Sequence, residues 1–433
     1  MDAEPSDMAG DAIEIARLAA MDDLAFDRER DAAAERLGIR GETLDRQVAA
    51  ARRAGRPRAQ TNKPQIVLRA GALDQLATEG EGALIASRLP IFQRGESLVR
   101  PTFYDVFASD GRRTIAAGVR EITAPALVDR LSRAAEWVRP MKRGDFGAAD
   151  PPAMVASIIL DRSGEWTFPS LAGVITTPTL RPDGTVLLEA GYDESTRFYH
   201  VPDPHLKLPP IPERPTIDDA RRALALLDGL LENFPFVGPV DKAVALSMLL
   251  TPILRGAMAV APLHAARAST AGTGKSFLAD LAAAIATGQI CPVSNVSHNP
   301  EETEKGLTGL ILAGHPIVAL DNVTGELGGS LLCQATERPL MRLRPLGTSD
   351  HITIENRATF FATGNNFRVR GDMTRRAVIT DLDARMERPE LRRFSFDPVK
   401  IVLAARGVYV VAALTIARAY LLGGVPVGCG TVN

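Results

Sequence analysis

The sequence is poor in cysteine and has no long apolar runs. Its three cysteines, Cys291, Cys333 and Cys429, form no CxxC pair, so their spacing supports neither a zinc site nor a disulfide framework. The acidic start lacks the basic and apolar segments of a signal peptide. The two most apolar stretches, 243–254 and 407–417, are shorter than the roughly 20 residues that span a bilayer, and we interpret them as buried helices. We therefore expect a cytoplasmic protein with no membrane partner.

An excess of charge of one sign is missing as well. The 50 lysines and arginines nearly balance the 52 aspartates and glutamates, which gives a formal net charge of −2. The whole chain therefore does not indicate a nucleic-acid partner, and any contact with DNA has to come from local patches. Hydrophobic residues make up 45% of the 433 residues, which is ordinary for a globular protein, and this length indicates two or three domains.

We predict three parts along the chain. Residues 1–60 form a helical segment and linker, residues 61–205 a small α+β accessory domain, and residues 206–433 an α/β domain. The proline-rich stretch 202–215 marks the second boundary, and a capped helix is predicted to begin at Thr216.

The first part contains a pattern that resembles a helix-turn-helix. Residues 31–53 predict a helix, a break at Gly38 and Gly41, and a second helix from Thr43. The arginines that such a motif would offer to phosphate are Arg46, Arg52, Arg53, Arg56 and Arg58. The alternative is a plain helical hairpin that leads into a polar linker over 53–63.

The second part mixes strands and helices without a catalytic constellation. The predicted elements are strands 65–69 and 102–107, a helix over 124–138, and hairpins that pair 157–161 with 166–168 and 179–180 with 186–188. His200 and His205 are separated by prolines, and we interpret them as part of a solvated loop rather than a metal site.

The strongest signal in the chain is a short run of small residues before a predicted helix. The run consists of Ala271, Gly272, Thr273, Gly274, Lys275 and Ser276. Small residues let backbone N–H groups surround a phosphate, and the helix N-terminus adds partial positive charge. Lys275 would contact the β- and γ-phosphates of ATP, and the Ser276 hydroxyl would hold Mg²⁺. Ser269 stands where the consensus pattern has its first glycine.

An apolar strand over 317–320 leads into Asp321 and Asn322. Asp321 follows Lys275 by 46 residues and would hold Mg²⁺ through water beside the phosphate loop. Asn322 stands where many ATPases have a glutamate that polarises the attacking water. Either hydrolysis is slow or another acid helps, and the candidate acids are Glu302 and Glu304.

A second strand, 357–363, ends in Gly364, and two asparagines follow. An amide near the γ-phosphate can orient water, and we choose Asn365 with Asn366 as the reserve. Arg375 and Arg376 come next. In ring ATPases an arginine from one subunit completes the neighbour's site, and we favour Arg376 for this role. A parallel sheet would bring all four elements together: the loop, the acid, the amide and the arginine.

These motifs resemble the ATPase part of phage, plasmid and integrated-element primase–helicase proteins. The resemblance rests on AGTGKS (271–276), VALDNV (318–323), ATGNN (362–366) and the segment 371–394. It implies an AAA+-like P-loop ATPase with a parallel central sheet that uses ATP and Mg²⁺ and self-associates into a ring, expected to be a hexamer. It also implies DNA, expected to be single-stranded, as a partner, together with a separate primase.

By that analogy five residues carry the roles given above: Lys275, Ser276, Asp321, Asn365 and Arg376. The sequence departs from the family in two respects. No primase motif is evident, and related proteins continue into a further helical region where this chain ends at 423–433. We therefore keep a truncated or degenerate helicase as an expectation beside the active one.

A hairpin is predicted between the acid and the amide. Residues 341–346 and 351–355 alternate like strands around a turn at 347–350. Helicases of the resembled kind often grip DNA with a hairpin in this place, which makes Arg342, Arg344 and His351 candidate DNA contacts. The alternative is an ordinary hairpin.

The sequence thus favours an ATP-driven helicase or translocase for the replication of mobile DNA. Two other classes stay open. One is a nucleotide-dependent assembly or switch protein with little turnover, which Asn322 favours. The other is a small-molecule kinase, against which the paired arginines Arg375 and Arg376 argue mildly.

Overall fold

The computed structural model describes residues 5–55, 62–108, 111–141, 145–295, 300–344, 351–392 and 394–423. Contacts divide the chain into two compact units, Met1–Pro64 and Gln65–Asn433. Several sequence predictions fall outside the described residues: Arg56, Arg58, the side chain of Arg53, the hairpin turn 347–350 and the tail 424–433.

Helices alternate with mostly short strands. The helices are α1 (Pro5–Ala19), α2 (Asp23–Arg36), α3 (Gly41–Gly55), α4 (Leu73–Ala86), α5 (Ala124–Ala134), α6 (Ala153–Asp161), α7 (Ile217–Leu230), α8 (Pro239–Leu254), α9 (Lys275–Thr287), α10 (Pro300–Leu312), α11 (Ser330–Glu337), α12 (Pro398–Ala404) and α13 (Arg406–Leu422). Single 3₁₀ turns cover Arg255–Ala257, Gly371–Arg375 and Pro389–Leu391.

The strands of the first half are β1 (Gln65–Val67), β2 (Phe92–Arg94), β3 (Ser97–Phe107), β4 (Arg113–Glu121), β5 (Glu136–Pro140), β6 (Phe146–Ala148), β7 (Gly173–Ile175), β8 (Thr179–Leu180), β9 (Val186–Leu187), β10 (Gly191–Asp193) and β11 (Phe198–His200). Those of the second half are β12 (Leu263–Ala268), β13 (Val293–Asn295), β14 (Ile317–Val323), β15 (Glu326–Leu327), β16 (Leu340–Leu343), β17 (Ile352–Glu355), β18 (Thr359–Asn365), β19 (Arg368–Val369) and β20 (Ala377–Leu382).

The first unit is a bundle of α1, α2 and α3 around a small apolar core. Leu18, Ala33, Leu44 and Val48 are buried there, as an apolar helix face requires. The two predicted helices are present, although α3 begins at Gly41 rather than Thr43. Whether this pair binds DNA stays a prediction.

One predicted phosphate ligand of this unit has a different role. The Arg52 guanidinium donates to the carbonyl oxygens of Ala19 and Met21 and pairs with Asp23. It therefore ties α3 to the α1–α2 turn and is not available to phosphate. The Arg46 side chain stays exposed and contacts only its own helix.

Three-stranded sheets and α4–α6 make up the first half of the second unit. Its core contains the apolar faces of those helices together with Trp137 and Trp166. The β8–β9 hairpin confirms the prediction around residues 181–184. The predicted helix over 124–138 ends at Ala134, and residues 136–140 form β5 instead, which pairs with β1.

Two predictions in this region were wrong. Residues 157–161 lie in α6, and 166–168 form no strand, because the short apolar run 153–161 is helical and buries one face. His200 does not lie in a solvated loop. It belongs to β11, is 1% exposed and contacts the Glu189 carbonyl through Nδ1 at 2.9 Å; burial lowers its pKa.

A five-stranded parallel sheet forms the centre of the second half, within the described residues. Its strand order is β13-β14-β18-β12-β20, and all pairings between these strands are parallel. Helices α7, α8, α9 and α13 cover one face, and α10 and α11 contribute to the core on the other. The predicted parallel central sheet is therefore confirmed, and both faces of it are buried.

Strand β12, which lies between β18 and β20, carries two residues that are unusual for a buried strand. His264 is fully buried, with Nε2 3.0 Å from the Ser247 hydroxyl. Arg267 pairs with Asp381 on the neighbouring strand β20 at 2.7 Å. The Arg267 guanidinium and His264 Nε2 thus have partners, on β20 and α8, whereas His264 Nδ1 is buried without a hydrogen-bond partner among the described residues.

Buried arginines join the two halves of the second unit. Arg94 donates to the carbonyls of Ala172 and Ile311, and Arg406 donates to Asp203 and to Ile285 O at the end of α9. These contacts explain why residues 65–433 form one compact unit. The predicted division between 205 and 206 stays a prediction.

In the described part of the chain, no single helix is long and apolar enough to cross a membrane. Helices α12 and α13 reach that length and composition only together, and they are bent by 93° at the break between them.

Candidate functional site

The candidate site lies at the edge of the parallel sheet where the strands end. β12 ends at Ala268, just before the predicted phosphate loop, and β18 ends at Asn365. Ala268 pairs directly with Asn365, so the loop and the predicted amide are brought to the same edge. The carboxyl ends of parallel strands are the usual place for ligand sites in such sheets.

The phosphate loop has the backbone that its glycines allow. Gly272 and Gly274 have φ angles of 76° and 102°, in the left-handed region that glycine adopts without strain. A Cβ at Gly272 would also lie 3.1 Å from the backbone nitrogen of Glu390. Ser269 is not among the described residues with positive φ, so serine replaces the consensus glycine there without backbone strain.

Lys275 begins α9 and lies inside the loop. Its ammonium donates to Thr270 O at 3.0 Å and to the Thr273 hydroxyl at 3.2 Å, and the residue is 8% exposed. Burial lowers the pKa of Lys275, and the Asp321 carboxylate opposes that shift. The cation is therefore held in the loop by neutral oxygens, which leaves its charge available to an anionic ligand.

Three oxygens from three elements converge beside Lys275. The Ser276 hydroxyl at the start of α9 donates to Asp321 Oδ1 at 3.0 Å, and the Thr363 hydroxyl on β18 donates to the same oxygen. Hydroxyl and carboxylate oxygens are the ligands that Mg²⁺ prefers. Ser276 and Asp321 therefore fit a magnesium site, whereas a cluster of three or more His, Cys, Asp or Glu side chains is not present among the described residues.

A β-bulge positions the acid. Leu320 pairs with Ala362 and Val323 with Gly364, so Asp321 and Asn322 together lie opposite Thr363 alone. A bulge of this kind redirects side chains and is common beside active sites. Asn322 takes the left-handed conformation, with φ of 56°, and its side chain is exposed at the cavity.

The cavity at this edge has a volume of about 380 Å³. Asn365 lines it together with Lys275, Asp321 and Asn322. Asn366 instead donates from its amide side chain to Ser269 O at 3.2 Å and from its backbone to Ala268 O, so it fastens β18 to the loop. Glu302 and Glu304 do not line this cavity; Glu302 pairs with Lys305 at 2.9 Å.

A second cavity, of about 520 Å³, lies on the other side of the phosphate loop and was missed by the sequence reasoning. Gly272 and Gly274 are shared by both cavities. The second is lined by aromatic side chains: Phe234, Phe277, Phe394 and Phe396. An apolar, aromatic cavity beside a phosphate loop suits a planar base.

Contacts between the aromatic residues shape this cavity. The Phe234 ring stacks on Phe277 at 6.4 Å, and Phe234 also lies against Gly274. Arg392 donates to Asn233 O and lies over the Phe394 ring at 5.1 Å. The only sequence signal for the cavity was the local crowding of phenylalanines at 234–236 and 394–396 in a chain with 5% aromatic residues.

The chain resembles known proteins at low sequence identity. No family model matches the chain, and no curated protein matches it. Two apo structures of the NrS-1 C-terminal region resemble it. One is 16% identical, with a TM-score of 0.33, over 74% of this chain and 66% of that chain. The other is 14% identical, with a TM-score of 0.37, over 74% and 71%.

A structure of JCV helicase with a bound small molecule is a further match, 12% identical, with a TM-score of 0.23, over 47% of this chain and 54% of that chain. At these identities and TM-scores the likeness carries no functional argument.

The two predicted arginines lie away from this site. Leu263 at the start of β12 pairs with Ala377, so Arg375 and Arg376 are at the opposite end of the sheet, about 17 Å along the strand. Arg376 pairs with Glu337 and Asp372, and its side chain is 8% exposed. Arg375 is 68% exposed and makes one loose pair with Asp372 at 3.5 Å. Exposure therefore favours Arg375 over Arg376 for any contact with another molecule.

The predicted hairpin is present as β16 and β17. The strands are antiparallel, with Arg342 opposite Thr353. Arg342, Arg344 and His351 are all exposed. The hairpin base is fixed by Arg197, which pairs with Glu355 at 2.8 Å.

Proposed function

We propose that this chain is a Mg²⁺-dependent ATPase of the helicase or translocase type, which hydrolyses ATP to move along DNA. The observation that carries the proposal is the convergence of Lys275, Ser276 and Asp321 at the carboxyl edge of a parallel sheet. An aromatic cavity beside the same loop supplies a place for the adenine base. Together these groups form a site for a nucleoside triphosphate.

Each residue has a separate task in this proposal. Lys275 and the N–H groups of the loop neutralise the β- and γ-phosphates as charge develops on them. Ser276 and Asp321 hold Mg²⁺, which when bound offsets the charge of the phosphate oxygens. Thr363 keeps the Asp321 carboxylate in place through its hydrogen bond. Asn365 orients the attacking water from the wall of the cavity.

The position of Arg375 supports assembly into a ring, which we expect to be a hexamer. The arginine cannot reach the site of its own chain, because it lies at the other end of the sheet. It is exposed and only loosely paired, as a residue that contacts a neighbouring subunit has to be. In a ring, Arg375 of one subunit would complete the site of the next.

The hairpin β16–β17 supplies the link to DNA. Arg342 is exposed on β16, and the strand pair lies between the acid and amide strands in the sequence. Movements of Asp321 or Asn365 during turnover can therefore reach the hairpin through the segments that join it to β14 and β18. Arg344 and His351 belong to the same hairpin, and single-stranded DNA is the proposed ligand. A separate primase is the proposed partner for strand synthesis.

A second function is favoured by one observation. Asn322 stands at the bulge where a glutamate would polarise water, and Glu302 and Glu304 are absent from the cavity. An amide is a poor base. The alternative is therefore an ATP-binding switch that assembles with little turnover.

The test is steady-state ATPase activity of the purified chain with and without single-stranded DNA. We expect turnover that DNA stimulates and that Lys275→Ala abolishes, while Lys207→Ala, an exposed lysine distant from the loop, behaves as the wild type. Arg342→Ala should lose the stimulation by DNA. ATP binding without turnover in either condition would instead support the switch.

A further inference from the structure

One face of the β3–β4 hairpin carries a line of basic and aromatic side chains. The strands are antiparallel, with Arg100 opposite Arg120 and Tyr104 opposite Ala116. Alternate residues of a strand share a face, so Arg100, Arg120 and Tyr104 point to the same side. The same face begins with Leu98, which is buried in the core under α5, and runs outward from there.

Arg100 and Arg120 are like charges directly opposite each other, an arrangement that is unfavourable as long as no anion binds to this face. Directly opposite residues have Cβ atoms about 5 Å apart, and like charges in such pairs are destabilising. Neither guanidinium forms an ion pair or a side-chain hydrogen bond with any residue that the structure describes. The nearest acid along the strand, Glu121, points to the other face and accepts from the Ser97 hydroxyl at 2.8 Å.

A third arginine lies beside this pair. Arg130 on α5 donates to the Ala126 carbonyl at 2.9 Å. Burial lowers its pKa, and the Arg100 charge lowers it further. The adjacent Asp129 carboxylate raises the pKa of Arg130, but it also forms an ion pair with Arg133 at 3.1 Å. Three arginines thus concentrate positive charge on this side of the hairpin, and Asp129 is the acid that acts on one of them, Arg130.

An exposed aromatic ring extends the basic cluster. Tyr104 is 63% exposed and lies four residues beyond Arg100 on the same face, a distance of about 13 Å along the strand. The residues across from this stretch are small, Ala116 and Gly118, so the cross-strand neighbours leave the ring open on that side. Phosphate-binding arginines beside an open aromatic ring are the features by which proteins bind single strands without sequence preference.

We infer that the arginine–tyrosine face, formed by Arg100, Arg120, Arg130 and Tyr104, binds single-stranded nucleic acid. The arginines contact backbone phosphates, and the Tyr104 ring stacks on a base. A duplex would keep its bases stacked inside, so the ring favours a single strand. The face lies outside both the ATP site and the β16–β17 hairpin, and its binding needs no ATP.

The experiment is fluorescence anisotropy with the full chain and no nucleotide, using labelled oligo-dT and oligo-U of equal length over a series of salt concentrations. The double variant Arg100→Gln/Arg120→Gln should bind at least tenfold more weakly. Its slope of log affinity against log salt should fall by about 1.4, since each phosphate contact to a single strand contributes about 0.7. Comparable binding of both oligomers would show that the face reads the shared backbone, and a preference would show which of them it takes.

Three further variants separate binding from folding. Tyr104→Ala should weaken binding fivefold or more, and Tyr104→Phe should restore it, because stacking needs the ring and not the hydroxyl. Arg221→Ala, which removes an exposed arginine on α7, is the matched control and should bind as the wild type. The double variant should melt no lower than the wild type, since it removes a like-charge pair.

Two results would overturn the inference. The first is unchanged affinity and salt dependence in the double variant. The second is a change in assembly mass, measured by analytical ultracentrifugation, with unchanged affinity, which would make the face a contact between copies. Neither result bears on ATP hydrolysis, so the inference and the proposed ATPase can fail separately.

Discussion

The Thr363 hydroxyl on β18 donates to the same carboxylate oxygen of Asp321 on β14 that accepts from Ser276. The Asp321 side chain is therefore held from two sides, by the start of α9 and by the central strand. The register places the two residues together, because Leu320 pairs with Ala362 and the next residues, Asp321 and Thr363, therefore lie side by side, while Asn322 is the extra residue of the bulge.

The first prediction concerns Thr363. Thr363→Val removes the hydroxyl that positions Asp321 and should lower the kcat for ATP by about 10- to 100-fold, the usual effect of losing such a supporting contact. ATP binding through Lys275 should change little. Steady-state kinetics and binding of a fluorescent ATP analogue measure the two effects. Thr363→Ser, which keeps the hydroxyl, should recover most of the activity.

The second prediction uses the same strand as a control. Thr359 is fully buried at the other end of β18, and its hydroxyl has no partner among the described residues. Thr359→Val removes an unsatisfied polar group without changing the side-chain shape, so it should raise the free energy of unfolding by about 1 kcal/mol. Denaturant unfolding measures this, and turnover should be unaffected. A loss of stability would mean that the hydroxyl has a partner.

The third prediction separates Arg375 from Arg376. Arg375→Ala should reduce turnover about a thousandfold if this arginine completes a neighbour's site, with no change in Tm. Arg376→Ala should instead lower Tm, because it leaves Glu337 without its partner.

Mixing variants tests the shared site directly. Lys275→Ala and Arg375→Ala are each expected to be inactive alone. In a random ring assembled from equal amounts, about a quarter of the sites combine an intact Lys275 with an intact Arg375, so activity should return to about that level. No recovery on mixing, despite assembly, would exclude an arginine supplied between subunits.

The fourth prediction concerns the aromatic cavity. Phe394 is 54% exposed at its mouth, and Phe394→Ala should raise the Kd for ATP about tenfold while leaving Tm unchanged. The matched control is Phe146→Ala, which removes a comparably exposed ring on β6. Because the proposed site has the base, and not the phosphates, against Phe394, inorganic triphosphate should compete equally well in both variants. Isothermal titration measures these affinities.

Candidate site residues that lie within short sequence patterns could be predicted from the sequence. Lys275 and Ser276 belong to the glycine-containing run itself, and Asp321 follows an apolar run, so local patterns were enough to choose them as candidates. Thr363 was missed because its contact with Asp321 depends on the register between β14 and β18, which the sequence alone does not reveal. The aromatic cavity escaped notice for a similar reason, since Phe234, Phe277 and Phe394 meet only in the folded chain.

The errors in the fold came from short apolar runs. Residues 157–161 were predicted as a strand because a run of that length has no clear period, yet they form the end of α6. The helix over 124–138 was predicted too long, because Glu136–Pro140 continues the apolar pattern while pairing with β1. In both places a contact distant in the sequence decided the conformation.

The last prediction concerns pH and His264 on strand β12. Burial lowers the pKa of His264 to about 4, from an ordinary value near 6.5, so the folded protein keeps the imidazole neutral. The unfolded chain takes up a proton at His264 as pH falls below 6.5, whereas the folded chain does not. The contribution of the neutral imidazole to the free energy of unfolding is therefore present above pH 6.5 and is lost as pH falls toward 4.

Between pH 7 and pH 5, protonation of His264 in the unfolded chain should lower the free energy of unfolding by about 2 kcal/mol. His200 and His315 are also buried with lowered pKa values, so the wild type alone cannot isolate the effect. The comparison is with His264→Gln, whose amide can still bond to the Ser247 hydroxyl but does not titrate. Urea unfolding at both pH values should show a smaller loss in the variant, by about 2 kcal/mol. An equal loss in both proteins would mean that His264 is protonated in the folded state as readily as in the unfolded chain.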